Sequence, residues 1–375
     1  MKRLSTPLIN ETYDLTNFGE SHKEEIKEVA QMLKKRGRDL LIQASVADEV
    51  RFQQTGSEVT FVVNQNINFT QHCIGSCRFC SYSLKPDETK NSSTRMSLED
   101  IGIEVEKAVA RDCTEICIQG GLDPTLNYEF YIDILKTIKS VSQEIHVHGF
   151  SPAEIAFISQ LSGESVEDVF KELMKNGLDS FPGTAAEILV DSVRRKICPE
   201  KISTNQWVNI VLTGHSLGLR STATIMYGHI ETYLEEAEHL AILKYIQEIS
   251  GGFTEFIPLS FVYPNTKLYR YMGARPGSTG MHDLALFSTA RLYLGDSFTN
   301  IQASWVKLGP KLAQVSLGTG VNDLGGTLFT ENITKSAGGK FGEEKNVEEF
   351  IELIRDAGRI PVRRDTMYNK LQVFQ

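Results

Sequence analysis

The chain has no apolar run near the roughly 20 residues that a bilayer-crossing helix needs, so no membrane partner is expected. Cysteine is scarce, six in 375 residues, which is too few for a disulfide scaffold. Positive charge is not in excess either. Thirty-nine Lys and Arg face 48 Asp and Glu, mixed along the sequence, for a formal net charge of −9. Nucleic acid favours a basic face, so it is not an expected partner. No internal repeat or low-complexity segment stands out. The opening stretch Met1–Ile9 turns polar too soon for a secretory signal, and a cytoplasmic protein is expected. A composition 41% hydrophobic and 23% charged is that of an ordinary globular protein.

Three of the six cysteines crowd into Cys73-Ile-Gly-Ser-Cys77-Arg-Phe-Cys80. Disulfides that close long loops are not placed this way. Three and then two residues between thiols let one tight loop aim all three sulfurs at one point. Spacing alone leaves zinc and an iron–sulfur cluster open. Zinc usually takes a second Cys/His pair, and none has suitable spacing; His72, adjacent to Cys73, is badly placed to reach the same metal. Three thiolates are one short of the four that normally close a cluster, so one iron would stay open to a small molecule. A site with an open position means chemistry, by the logic known from zinc. Cys117, in the apolar run Glu115–Gln119, reads as a small buried core residue; Cys113 and Cys198 sit near element ends and give no further clue.

Residues 21 to 50 carry helical spacing, with a solvated basic run at Lys34–Arg38. Beyond residue 60, short apolar runs alternate with longer amphipathic segments. The runs are Thr60–Asn64, Glu115–Gln119, Ile145–Phe150, Leu178–Phe181, Ser221–Met226, Phe253–Leu259, Thr299–Ser304 and Ala313–Val321. Ser97-Leu-Glu-Asp100 and Ser203-Thr-Asn-Gln206 resemble capping boxes that start helices. Such alternation means a parallel sheet, and eight runs over roughly 260 residues predict an α/β fold, a TIM-like (β/α)8 barrel. The expected organisation is a helical cap over residues 1–57, the barrel over 58–330 and an extension over 331–375 packed on the barrel.

Active sites in this fold collect at the C-terminal strand ends. The cysteine loop follows the first run, and Gln119-Gly120-Gly121 ends the second, where glycine lets backbone approach a ligand closely. Pro182-Gly183-Thr184 is a similar turn. His146 and His148 alternate on one strand and share a face, as candidate acid–base groups or packed histidines. Tyr227 and His229 stand at another strand end with the same two readings. Glu154 is read as a substrate ligand or a helix cap, and His215 as a helix-surface residue.

With these pieces assembled, the chain resembles a radical S-adenosylmethionine (SAM) enzyme. The resemblance implies a 4Fe-4S cluster on Cys73, Cys77 and Cys80, and SAM as second cofactor. It places Phe79 near the adenine, Gln119, Gly120 and Gly121 against the amino group, and Gly183 and Thr184 toward the ribose or methionine. More narrowly, Asn66-Ile-Asn-Phe-Thr70, Ile145–Pro152, Thr224–Ile230 and Phe253–Leu259 resemble the group of FO synthase subunit 2 and two menaquinone-pathway enzymes, aminofutalosine synthase and dehypoxanthine futalosine cyclase. Asn322–Leu328, Glu331–Gly338 and Gly358–Tyr368 are most similar to the FO synthase side of that group, apart from Val321 where Ala is expected.

That resemblance implies coupling of the 4-hydroxybenzyl unit of L-tyrosine to C5 of 5-amino-6-(D-ribitylamino)uracil. The by-products would be 2-iminoacetate, methionine and 5′-deoxyadenosine, and a partner radical SAM subunit would close the deazaflavin ring. Lys307 and Arg275 are the candidate cations for the tyrosine carboxylate. The alternatives are a futalosine-pathway enzyme and a non-catalytic metal-binding structural protein.

Overall fold

The computed structural model describes residues 12–85, 94–342 and 344–375; the Met1–Ile9 stretch lies outside them. Helices Phe18–Ser21, Lys23–Leu33 and Gly37–Thr55 precede the first strand. Within the basic run, Arg36 is held at the Tyr233 hydroxyl while Lys34, Lys35 and Arg38 are exposed.

Among the described residues ten strands follow: β1 (Glu58–Val62), β2 (Asn64–Asn68), β3 (Glu115–Gln119), β4 (His146–Gly149), β5 (Ser180–Phe181), β6 (Arg220–Tyr227), β7 (Phe253–Ser260), β8 (Asp323–Gly326), β9 (Ile360–Arg364) and β10 (Lys370–Val373). Strands β2 to β7 form a six-stranded sheet in sequence order, every neighbour parallel. A second sheet runs β10-β9-β1-β8. Only Val63 separates β1 from β2, so one continuous stave serves both sheets. The ring closes through single parallel bridges, Phe256 to Ile301 and Gln302 to Asp323. The result is an α/β barrel of eight parallel staves, the seventh present only as that bridge.

Helices lie between the strands because the sequence starts them cleanly. At Ser97 and at Ser203 the side chain accepts the N3 backbone N–H, and the Asp100 or Gln206 side chain accepts from the cap in return. Two strand assignments differ from the sequence reading. The run Ala313–Val321 is not a strand; helix Pro310–Ser316 occupies its start and β8 follows at Asp323. Pro310 at the first helical position has its φ preset for a helix, which short apolar runs cannot reveal by periodicity. Thr299–Ser304 makes bridges but no ladder.

The C-terminal segment closes the bottom of the barrel. Strand β9 pairs parallel with β1, and β10 returns antiparallel on β9. From the end of β9, Arg364, Thr366 and Tyr368 reach carboxylates near the N-terminal ends of β8, β3 and β7. No helix among the described residues is long and apolar enough to cross a membrane.

Candidate active site

The loop after β2 is fastened by backbone hydrogen bonds: Cys73 N–H to Leu84, Ile74 N–H to Leu122 and Arg78 N–H to Ile197. Space inside it is tight at Gly75. A Cβ on Gly75 would stand 3.2 Å from the Cys73 sulfur and 4.0 Å from that of Cys77. Cys73, Cys77 and Cys80 all line one cavity of about 250 Å³, together with Phe79, Gln119, Gly120, Gly121 and Thr184. Gly183 is not on its surface. It sits behind the wall, where a Cβ would come 1.9 Å from the Thr222 carbonyl oxygen.

The donor set fits a cluster better than a single ion. Among the described residues no three His, Cys, Asp or Glu side chains converge closely enough to hold one metal ion. A cubane takes one thiolate at each of three iron corners, so its ligands need not converge on one atom. Two backbone N–H groups, of Gly75 at 3.3 Å and Leu122 at 3.4 Å, point at the Cys73 sulfur. Burial pushes the Cys73 and Cys77 thiols up, so ionising them requires positive charge brought to the loop, which iron would supply. Two lysines are near: Lys201 bridges Glu187 at 2.6 Å and lies 5.4 Å from the Phe79 ring centroid, and Lys85 donates to the Gly75 carbonyl at 2.6 Å. Two buried polar atoms of the wall, Asn68 Nδ2 and Thr184 Oγ1, have no partner among the described residues, and both are free to meet a polar ligand.

Glu154 ties the glycine turn to the next helix. One of its oxygens accepts the Gly120 N–H at 2.8 Å; the other closes the Ser151 capping box of helix Pro152–Ser162. Burial pushes its carboxyl up to about 7, against those bonds.

A second cavity of about 290 Å³ lies deeper in the barrel and shares Gln119, Thr184, Thr224, Leu259 and Ile333 with the first, so the two are continuous. Its floor is the C-terminal segment. Arg364 donates to Asp323 at 2.6 Å and lies 3.6 Å from Glu255. Thr366 and Asn64 donate to the two Glu115 oxygens at 2.7 and 2.8 Å, and the Tyr368 hydroxyl donates to Glu255 at 2.8 Å. Burial pushes the Glu255 carboxyl up to about 7, against the attraction of Arg364.

The four histidine and tyrosine candidates separate. His146 and His148 both bond the Ser180 hydroxyl at 2.7 Å, but only His148 lines the cavity. Burial pushes His148 down to about 4, with Glu115 opposing, so its ring is neutral at pH 7. Tyr227 and His229 are not brought to either cavity. Tyr227 donates to Asp283 at 2.7 Å, and His229 contacts the Met226 carbonyl and Glu231. Arg275 is likewise taken, ion-paired to Glu231, whereas Lys307 lines the deep cavity. His215 is no surface residue: it is enclosed between the Ser221 and Ser250 hydroxyls, each at 2.8 Å. Cys117 faces the deep cavity and is only partly buried, which corrects its reading as core.

Sequence reasoning passed over Lys201 and Asn68, polar residues in ordinary contexts. It also passed over the individual floor groups. Arg364, Thr366 and Tyr368 recur every second residue, a one-face pattern that was available to find them.

Comparison with known proteins agrees with this geometry. Residues 67–243, which contain the cysteine loop, match the Radical SAM superfamily, and residues 250–375 match the CofH/MqnC C-terminal region. A protein of Methanopyrus kandleri is 49% identical over 328 residues, 88% of either chain; one of Archaeoglobus fulgidus is 50% identical over 326, 87% of this chain and 92% of its own. Both are named 5-amino-6-(D-ribitylamino)uracil–L-tyrosine 4-hydroxyphenyl transferase. Among solved structures, methylornithine synthase (PylB) superposes with a TM-score of 0.69 at 17% identity, covering 94% of this chain and 96% of its own. The [FeFe]-hydrogenase maturase HydG of Carboxydothermus hydrogenoformans gives 0.66 at 15%, covering 94% and 83%. At those identities the solved structures speak for the fold alone. The chain belongs to the radical SAM superfamily and, within it, to the family that the Methanopyrus and Archaeoglobus enzymes represent.

Proposed function

We propose that the chain is a radical SAM transferase that joins the 4-hydroxybenzyl group of L-tyrosine to 5-amino-6-(D-ribitylamino)uracil in deazaflavin coenzyme biosynthesis. The observation that carries this reading is near-half identity over almost the whole length to enzymes named for that reaction. The C-terminal match also takes in the menaquinone-pathway enzymes, so the relatives, and not that match, separate the two.

Cys73, Cys77 and Cys80 would hold the 4Fe-4S cluster. Bound there, it supplies the electron that cleaves SAM to methionine and a 5′-deoxyadenosyl radical. The protein does the rest by position. The Gln119–Gly121 turn brings backbone to the cavity wall, fixed by Glu154. Thr184 Oγ1 and Asn68 Nδ2 offer hydrogen bonds, and the Phe79 face offers a stacking surface. The deep cavity, floored by Arg364 and Thr366, receives the substrates away from bulk solvent and side reactions. Its Asn, Thr and Glu groups suit a uracil and a polyol chain, both rich in N–H and O–H donors. The coupled product would pass to a second radical SAM subunit for ring closure.

Anaerobic protein given reductant and SAM should consume tyrosine when the diaminouracil is present, and leave a purine nucleoside untouched. Nucleoside turnover with intact tyrosine would instead establish the menaquinone-pathway reading.

A further inference from the structure

Among the described residues lining the two cavities, three side chains are permanently cationic: Lys201, Lys307 and Arg364. Two are already committed. Lys201 bridges Glu187, and Arg364 is held between Asp323 and Glu255. Lys307 differs. Its ammonium meets the Thr334 hydroxyl, which in turn donates a hydrogen bond to Glu331 at 3.0 Å. An ammonium has three donors and meets one neutral acceptor here, so it is under-partnered for a charge withdrawn from bulk water. Burial holds it below the ordinary lysine range, and the attraction of Glu331 and Glu187 offsets that only in part.

The place of Lys307 matters as much as its charge. Thr334 adjoins Ile333, one of the residues common to both cavities, so the ammonium stands where the deep cavity opens toward the cysteine loop. At the opposite end the floor carries Glu115, Glu255 and Asp323 against the one guanidinium of Arg364. A carboxylate is repelled from that floor and attracted to Lys307, whose one neighbouring carboxylate, Glu331, is already held by the Thr334 N–H and hydroxyl.

Resting on the transferase reading above, we propose that Lys307 is the anchor for the α-carboxylate of the amino-acid substrate, a role that sets its orientation in the barrel. The α-amino group, bonded to the neighbouring carbon, then lies at the junction of the cavities, facing the radical source. The aromatic ring and the donor-rich uracil take the remaining space above the acidic floor.

The test uses tyrosine against tyramine, which lacks only the carboxylate, on the cluster-loaded protein. Wild type is expected to bind tyrosine about 10- to 100-fold more tightly than tyramine by calorimetry, the range of a charge-assisted pair. Lys307→Met should raise the KM for tyrosine by the same factor and erase the discrimination. The SAM affinity and the KM for the diaminouracil should stay unchanged. Lys307→Arg should restore part of the preference. If wild type turns tyrosine over but binds tyramine equally well, or if Lys307→Met keeps its preference for tyrosine, the anchor is overturned while the transferase reading stands. If wild type ignores tyrosine altogether, the transferase reading itself fails.

Discussion

At Gly121 an added methyl would come 2.1 Å from the His72 carbonyl oxygen, a backbone atom that cannot swing aside. The strand-end glycine turn and the cysteine loop are thus packed backbone to backbone, and one cannot shift without the other. Gly121→Ala should therefore displace Cys73 and lower the iron bound after anaerobic reconstitution, while circular dichroism stays that of a folded barrel. Full iron loading in that variant would show that the loop adapts. Cys73→Ala, Cys77→Ala and Cys80→Ala should each abolish SAM cleavage. Normal 5′-deoxyadenosine formation in any of them would remove that residue from the ligand set. Much of this was legible in the sequence, since thiol spacing and a Gly-Gly after a strand are local signals. Lys201 was not separable from other lysines, nor Lys307 from Arg275, because what distinguishes them is whether a counter-charge is near in space.

The C-terminal hairpin is the element whose importance sequence patterns understated. Its alternating Arg364, Thr366 and Tyr368 satisfy three acidic side chains at the barrel floor. Removing the guanidinium leaves Asp323 with the Thr60 hydroxyl and the Gly325 N–H, and Glu255 with a hydroxyl alone. Breaking a buried pair on one side typically costs about 3–5 kcal/mol. Arg364→Met should lower the denaturation midpoint accordingly; an unchanged midpoint would mean that the floor is solvated. Helix starts were legible because capping boxes are written within four residues, as at Ser97 and Ser203. The last two staves were not: a helix begun by Pro310 and a strand reduced to two bridges are set by long-range pairing.

Across the whole molecule, several histidines are buried as neutral rings. Burial pushes His148 and His282 down to about 4, and His215 and His239 down to about 3. In the unfolded chain each takes up its proton near 6.5, so their contribution is complete above that value. It is lost as pH falls from 6.5 toward the folded values, approaching about 1.4 kcal/mol per pH unit for each ring. Glu154 and Glu255, pushed up to about 7, and Glu236, Glu238 and Asp283, also raised by burial, act in the opposite direction, so the histidine contribution is read from a single-ring variant and not from the whole protein. His215→Gln, which keeps hydrogen-bonding atoms but cannot titrate, should be less stable than wild type at pH 7.5 and should close that gap by pH 5. A gap that stays constant would show that His215 is not held neutral.

The barrel, the cysteine loop and the acidic floor serve one reaction, and its carbon atoms can be followed. Tyrosine labelled with ¹³C at the benzylic carbon, incubated anaerobically with the reconstituted protein, reductant, SAM and 5-amino-6-(D-ribitylamino)uracil, tests the assignment by mass analysis. The label should appear in a hydroxybenzyl adduct of the uracil, with 2-iminoacetate unlabelled. SAM cleaved to 5′-deoxyadenosine while the labelled tyrosine stays intact would contradict the assignment.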